Sequence, residues 1–159
     1  MLSQSVRVTT AAESRYRIAL PNSRGRKTLV LALGKSALTA LAELQELEWN
    51  NTQFGFYASG ELQLYQAQQT LRVTFNDLLD KVDVVVLLIT ADSDVDAIVS
   101  IGHACSERRV MTSGFILVQT DRDEATLNNV LACTRKVTVS LVADADTDTL
   151  IESLRAVRA

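Results

Sequence analysis

The 159-residue sequence holds one proline, six glycines, two cysteines and one histidine, and only 5% of it is aromatic. Each scarcity removes a class of protein. Glycine and proline are too few for collagen-like or low-complexity chains, and two cysteines cannot build the disulfide framework of a small secreted domain. A lone histidine, His103, cannot supply a multi-histidine metal centre. Long apolar runs are missing too. The longest, Val84-Val85-Val86-Leu87-Leu88-Ile89, falls far short of the roughly 18 residues that span a bilayer. Residues 1–20 lack the apolar core of a secretory signal. These absences lead us to expect a cytoplasmic protein with no membrane association.

What is present suits one globular domain. The chain is 47% hydrophobic and 22% charged, enough apolar material for a core. Its net charge of −3 is unevenly spread. Arg7, Arg15, Arg17, Arg24, Arg26 and Lys27 face only Glu13 in residues 1–27, so the remainder is clearly acidic. An acidic body repels phosphate backbones, which argues against broad nucleic-acid binding. Alternation in Val6–Thr9 and Arg15–Leu20 suggests a basic N-terminal hairpin or arm over 1–27.

From residue 28 the pattern becomes regular. Leu29–Leu33 reads as a strand buried on both faces. Ser36 is placed to cap a helix over Ala37–Trp49. A strand at Phe54–Tyr57 follows, then a turn at Ser59-Gly60. Residues 61–75 alternate like strands around a neutral Gln-Ala-Gln-Gln, and Asn76 opens a short helix. Strands at Val84–Thr90, Gly114–Thr120 and Val137–Ala143 then alternate with helices at Val95–Arg109, Glu124–Arg135 and Thr149–Val157. Apolar strands alternating with helices predict a parallel sheet covered on both faces. The expected fold is a Rossmann-like three-layer α/β sandwich over 28–159, with a mostly parallel sheet. Cys105 and Cys133 fall in helices and read as small hydrophobes.

Three acidic clusters stand where strands end: Asp92, Asp94 and Asp96; Asp121, Asp123 and Glu124; Asp144, Asp146 and Asp148. They hold nine of the nineteen acids, and all three belong on the carboxyl rim, where open α/β sheets take ligands. One reading is a Mg²⁺ or Ca²⁺ site using Asp92, Asp94, Asp121 and Asp144. The other is helix capping, because each cluster precedes a helix. Gly34-Lys35-Ser36 resembles the end of a phosphate loop, but Leu29 occupies the position of its first glycine. A simpler anion site at Gly34, Lys35 and Ser36 remains, as does an ordinary turn. No Gly-x-Gly occurs, so the dinucleotide fingerprint is absent. Leu38, Leu41, Leu44, Leu47 and Trp49 make the first helix apolar over much of its girth, which suggests a contact with a second copy or a protein partner.

The order of elements over 28–159 resembles the nucleotide-binding half of the FtsZ/tubulin family. Val82-Asp83-Val84-Val85-Val86-Leu87-Leu88-Ile89-Thr90 is similar to its "aDmvFvtaG" strand, and Thr112-Ser113-Gly114-Phe115-Ile116-Leu117-Val118 to its "lTvgvVt". That family holds phosphates on glycine-rich loops. The corresponding segments here are Gly34-Lys35-Ser36-Ala37 and Ala91-Asp92-Ser93-Asp94-Val95-Asp96-Ala97. The resemblance therefore implies a degenerate member without GTPase activity. We expect a non-catalytic, self-associating ligand- or protein-binding module with no cofactor beyond Mg²⁺ or Ca²⁺. The alternatives are a metal-dependent enzyme or phosphoacceptor on the acidic rim, and a residual nucleotide binder.

Overall fold

A computed structural model describes residues 25–66, 69–120 and 123–156. The expected N-terminal hairpin lies almost wholly outside these residues, and Asp121 wholly so. The chain begins with β1 (Thr28–Ala32). A 3₁₀ turn (Lys35–Ala37) leads into α1 (Leu38–Gln45), followed by β2 (Thr52–Ala58), β3 (Glu61–Gln66), β4 (Gln69–Val73) and α2 (Phe75–Leu79). Then come β5 (Val84–Ile89), α3 (Val95–Glu107), β6 (Met111–Leu117), α4 (Glu124–Val137), β7 (Ser140–Ala145) and α5 (Thr147–Ala156).

One seven-stranded sheet runs β4-β3-β2-β1-β5-β6-β7. Five strands, β2-β1-β5-β6-β7, are parallel neighbours. The β3–β4 hairpin extends this sheet antiparallel beyond β2. The sequence reason is the pattern change at β2. β1 and β5 are apolar at every position and buried throughout, as central parallel strands must be. β3 alternates, with Leu62 and Leu64 inward, and β4 is exposed along nearly all its length. The turn from β2 into β3 is Ser59-Gly60, with φ of 52° and 82°. Two successive left-handed residues twist the chain as a tight hairpin requires, and glycine supplies the second without strain.

Alternate side chains of β1 and β5 point to opposite layers. Leu29, Leu31, Val85, Leu87 and Ile89 pack with Leu78 and Leu79 of α2, Ile98, Ile101 and Cys105 of α3, and Val130 of α4. Val30, Ala32, Val84, Val86 and Leu88 pack with Leu41 and Leu44 of α1 and Leu150 and Leu154 of α5. The Rossmann-like three-layer sandwich is therefore as the sequence predicted. Each fully buried leucine or isoleucine contributes about 1.5–3 kcal/mol, so these two layers dominate the stability. Burial also pushes the Cys105 thiol up from its ordinary value, although Thr112 offsets part of this.

Several expectations need correction. Ser36 does not cap the first helix with its side chain, and that helix stops at Gln45 instead of Trp49. Its apolar stripe is buried in part. Leu41 and Leu44 are fully buried, while Leu38 and Trp49 pack against the same layer. The Trp49 indole N–H donates to the Leu44 carbonyl at 2.7 Å, satisfying a carbonyl at the end of α1. Of the residues assigned to a partner surface, Leu38, Leu47 and Trp49 stay partly exposed. Glu61–Gln66 and Gln69–Val73 form the antiparallel pair β3 and β4. β7 starts at Ser140, three residues later than expected, because α4 continues through Val137.

Candidate functional site

Within the parallel part the strand order departs from β1 in both directions. The chain moves from β1 out to β2, then returns across β1 to β5. α1 leaves β1 for one face, and α3 leaves β5 for the other. In open α/β sheets such a switch point is the ligand crevice, at the carboxyl ends of the two strands; here that place is the β1–β5 crevice. Counting only parallel strands, the order is 2-1-3-4-5, that of flavodoxin-like folds.

The register pairs Ala32 with Leu88, and the Leu33 N–H donates to the Leu88 carbonyl at 3.1 Å. The loops that follow are therefore neighbours. Gly34 is buried, and a Cβ on it would stand 2.5 Å from Thr90 Oγ1 and 2.8 Å from Asp92 Oδ1. Only glycine permits this approach. Across it, the Ser36 N–H donates to Asp92 Oδ2 at 3.2 Å, and the Thr90 hydroxyl donates to Asp92 Oδ1. The Thr90 N–H donates to Ser93 Oγ at 3.0 Å, and the Ala91 N–H donates to Gln119 Oε1 at 2.9 Å. The floor of the crevice is thus stitched to the loop after β6, while Lys35 and Asp92 remain exposed at its mouth.

Partial burial pushes the Asp92 carboxyl up, but the Thr90 hydroxyl and the Ser36 N–H together outweigh it and hold the group below its ordinary value. A depressed native pKa contributes stability above the unfolded value, and that stability is lost as pH falls through the native one. We therefore expect the difference in melting temperature between the wild type and Asp92→Asn to be constant in strong acid. It should move in favour of the wild type as pH rises through about 4. Melting curves from pH 2.5 to 7 check this, and parallel curves throughout would contradict it.

Three of the other rim carboxylates serve their own helices. Asp94 caps α3, accepting the Asp96 N–H at 3.0 Å, and Asp123 caps α4, accepting from Ala125 and from the Thr126 hydroxyl. Asp146 accepts the Thr149 N–H at 2.8 Å together with its hydroxyl. Those hydrogen bonds hold Asp123 and Asp146 below the ordinary carboxylate range. Asp144 has a φ of 52° where the β6–β7 register shifts, a left-handed position that aspartate tolerates better than most residues. Among the described residues no three His, Cys, Asp or Glu side chains are grouped to hold a metal ion. Of the expected Mg²⁺ or Ca²⁺ ligands Asp92, Asp94, Asp121 and Asp144, Asp94 faces helix N–H groups, Asp92 faces Ser36 and Thr90, and Asp121 lies outside the described residues. Replacing Asp94 by alanine should cost about 1 kcal/mol and by asparagine much less, which chemical denaturation of both variants measures.

The sequence pointed to Gly34, Lys35 and Ser36 as one candidate and to Asp92 as part of another, and the fold brings Gly34, Ser36 and Asp92 together. It gave no sign of Thr90, Ser93 or Gln119. His103 is exposed on α3. A concavity of about 500 Å³ lies between the β3–β4 hairpin and α2–α3, lined by Tyr57, Leu62, Arg72, Val73, Phe75 and Ala104. Tyr57 and Phe75 meet edge to face there, 5.9 Å between ring centres. No crevice residue lines it.

No helix among the described residues is long and apolar enough to cross a membrane. Neither a protein-family model nor a curated relative matches the chain. Among solved structures it is similar to the apo-form of a flavoprotein from Lactobacillus acidophilus NCFM, at 11% identity and a TM-score of 0.49, over 82% of this chain and 98% of that one. Beside that finding, two expectations are corrected: a non-catalytic module without a binding loop, and no cofactor except Mg²⁺ or Ca²⁺.

Proposed function

We propose that the chain is a flavodoxin-like module that takes a small ligand of the flavin or nucleoside class in the β1–β5 crevice. One observation carries the reading: at the switch point of the sheet, Gly34 brings the two strand-end loops together and leaves hydrogen-bonding groups at the mouth. Rings and hydroxyls suit such a place, because the walls are strand ends and the polar groups are few and fixed. A phosphate on Ser36 does not suit it, since the Asp92 carboxylate already accepts that N–H.

Thermal melting with riboflavin, FMN, adenosine and ATP, each with EDTA present, tests the reading. A ligand bound only by the native state raises the melting temperature. We expect a rise with riboflavin or adenosine and none with ATP. No rise with any flavin or nucleoside would end this reading.

A further inference from the structure

We infer that the Asp92 carboxylate is the resident anion of the β1–β5 crevice and sets the class of its ligand. It admits groups that donate hydrogen bonds, such as sugar or ribityl hydroxyls and amines, and bars phosphate. The choice of ligand class rests on the reading of the crevice given above; the exclusion of phosphate does not.

Three features of Asp92 support this. The first is occupancy. Asp92 Oδ2 sits 3.2 Å from the Ser36 nitrogen, the seat a phosphate oxygen would need to use that N–H. One donor cannot serve both. The second is anchoring. The Thr90 hydroxyl holds the other carboxylate oxygen, Thr90 is itself buried, and the Thr90 N–H is fixed by Ser93 Oγ. Gly34 leaves room for the carboxylate and nothing more: Asp92 Oδ1 and Cγ lie 2.8 and 3.0 Å from the place of a Cβ. The third is charge. A phosphate entering here would meet an ionised carboxylate, which like-charge repulsion opposes. Each carboxylate oxygen keeps lone-pair capacity beyond the bond it accepts. The same group that repels phosphate is therefore an acceptor for hydroxyl and amino donors.

The probe is inorganic phosphate, with sodium chloride at equal ionic strength as the reference. In the wild type, phosphate should leave the melting temperature and the Ser36 amide resonance where chloride leaves them at pH 7. Lowering the pH through the Asp92 titration should move that amide resonance. Asp92→Ala and Asp92→Ser clear the seat. Either one, once far-UV dichroism shows it folded, should gain about 4 °C at phosphate tenfold above its dissociation constant. Asp92→Asn keeps the volume and should gain nothing. With flavins, the wild type should favour riboflavin over FMN by at least about tenfold, roughly one hydrogen bond's worth of discrimination, and Asp92→Ser should lose that preference. Movement of the wild-type Ser36 amide on adding phosphate would overturn the inference even if neither small variant folds. So would folded Ala and Ser variants that both ignore phosphate. Failure of every flavin to bind the wild type would instead remove the ligand reading, and the phosphate result would still decide what Asp92 does.

Discussion

Gly102→Ala should lower the melting temperature by about 4 °C, and Val137→Ala in the same chain should restore much of it. Gly102 lies buried in α3, where α3 packs on α4. An ideal Cβ there would overlap Val137 Cβ and stand 2.8 and 2.9 Å from its two methyls. Two effects compete. Alanine in mid-helix gains about 1 kcal/mol over glycine. Overpacking a closed contact costs about 1–3 kcal/mol, and here the upper end applies, because the first atom met is the stiff branch point of valine. The net loss is then about 1–2 kcal/mol, or roughly 2–4 °C per kcal/mol in a chain of this length. Truncating Val137 removes the obstacle, so the two changes should be non-additive in a double-mutant cycle. Additive losses would place the strain elsewhere.

Gly34→Ala should be comparably harmful and should also abolish the ligand response of the crevice. Its Cβ would meet Thr90 Oγ1 at 2.5 Å. Thr90 is buried, with its N–H and hydroxyl both engaged, so it cannot turn aside cheaply. Asp92 is exposed and can swing away, but only by giving up Ser36 and Thr90. A cost of about 2 kcal/mol follows. The loss of Asp92 from its place should abolish any riboflavin-induced rise in melting temperature. An alanine variant that melts like the wild type and keeps its response would show that the loops do not need the close approach.

These two glycines also show how far the sequence could be read. The apolar runs at Leu29–Leu33 and Val84–Thr90 announced central strands, because burial on both faces leaves no alternation. The layers followed from that. Strand order did not, since nothing in one sequence pairs β1 with β5, and the crevice exists only through that pairing. Gly34 and Asp92 were each visible as candidates, yet their contact depends on the Ala32–Leu88 register. Thr90 looked like the end of a strand. The rim acids gave an ambiguous signal, because an aspartate before a helix has one appearance whether it caps or binds. The end of α4 was misjudged for a packing reason. Val137 is β-branched and suits a strand, but its contact with Gly102 keeps it in the helix, displacing β7 by three residues.

The most direct test of the account is amide chemical-shift mapping of the full chain during titration with riboflavin. The β1–β5 crevice predicts saturable shifts at Gly34, Ser36, Thr90, Asp92 and Ser93, with Tyr57 and Phe75 unmoved. Shifts centred on Tyr57, Val73 and Phe75 instead, or no saturable shift at all, would contradict it.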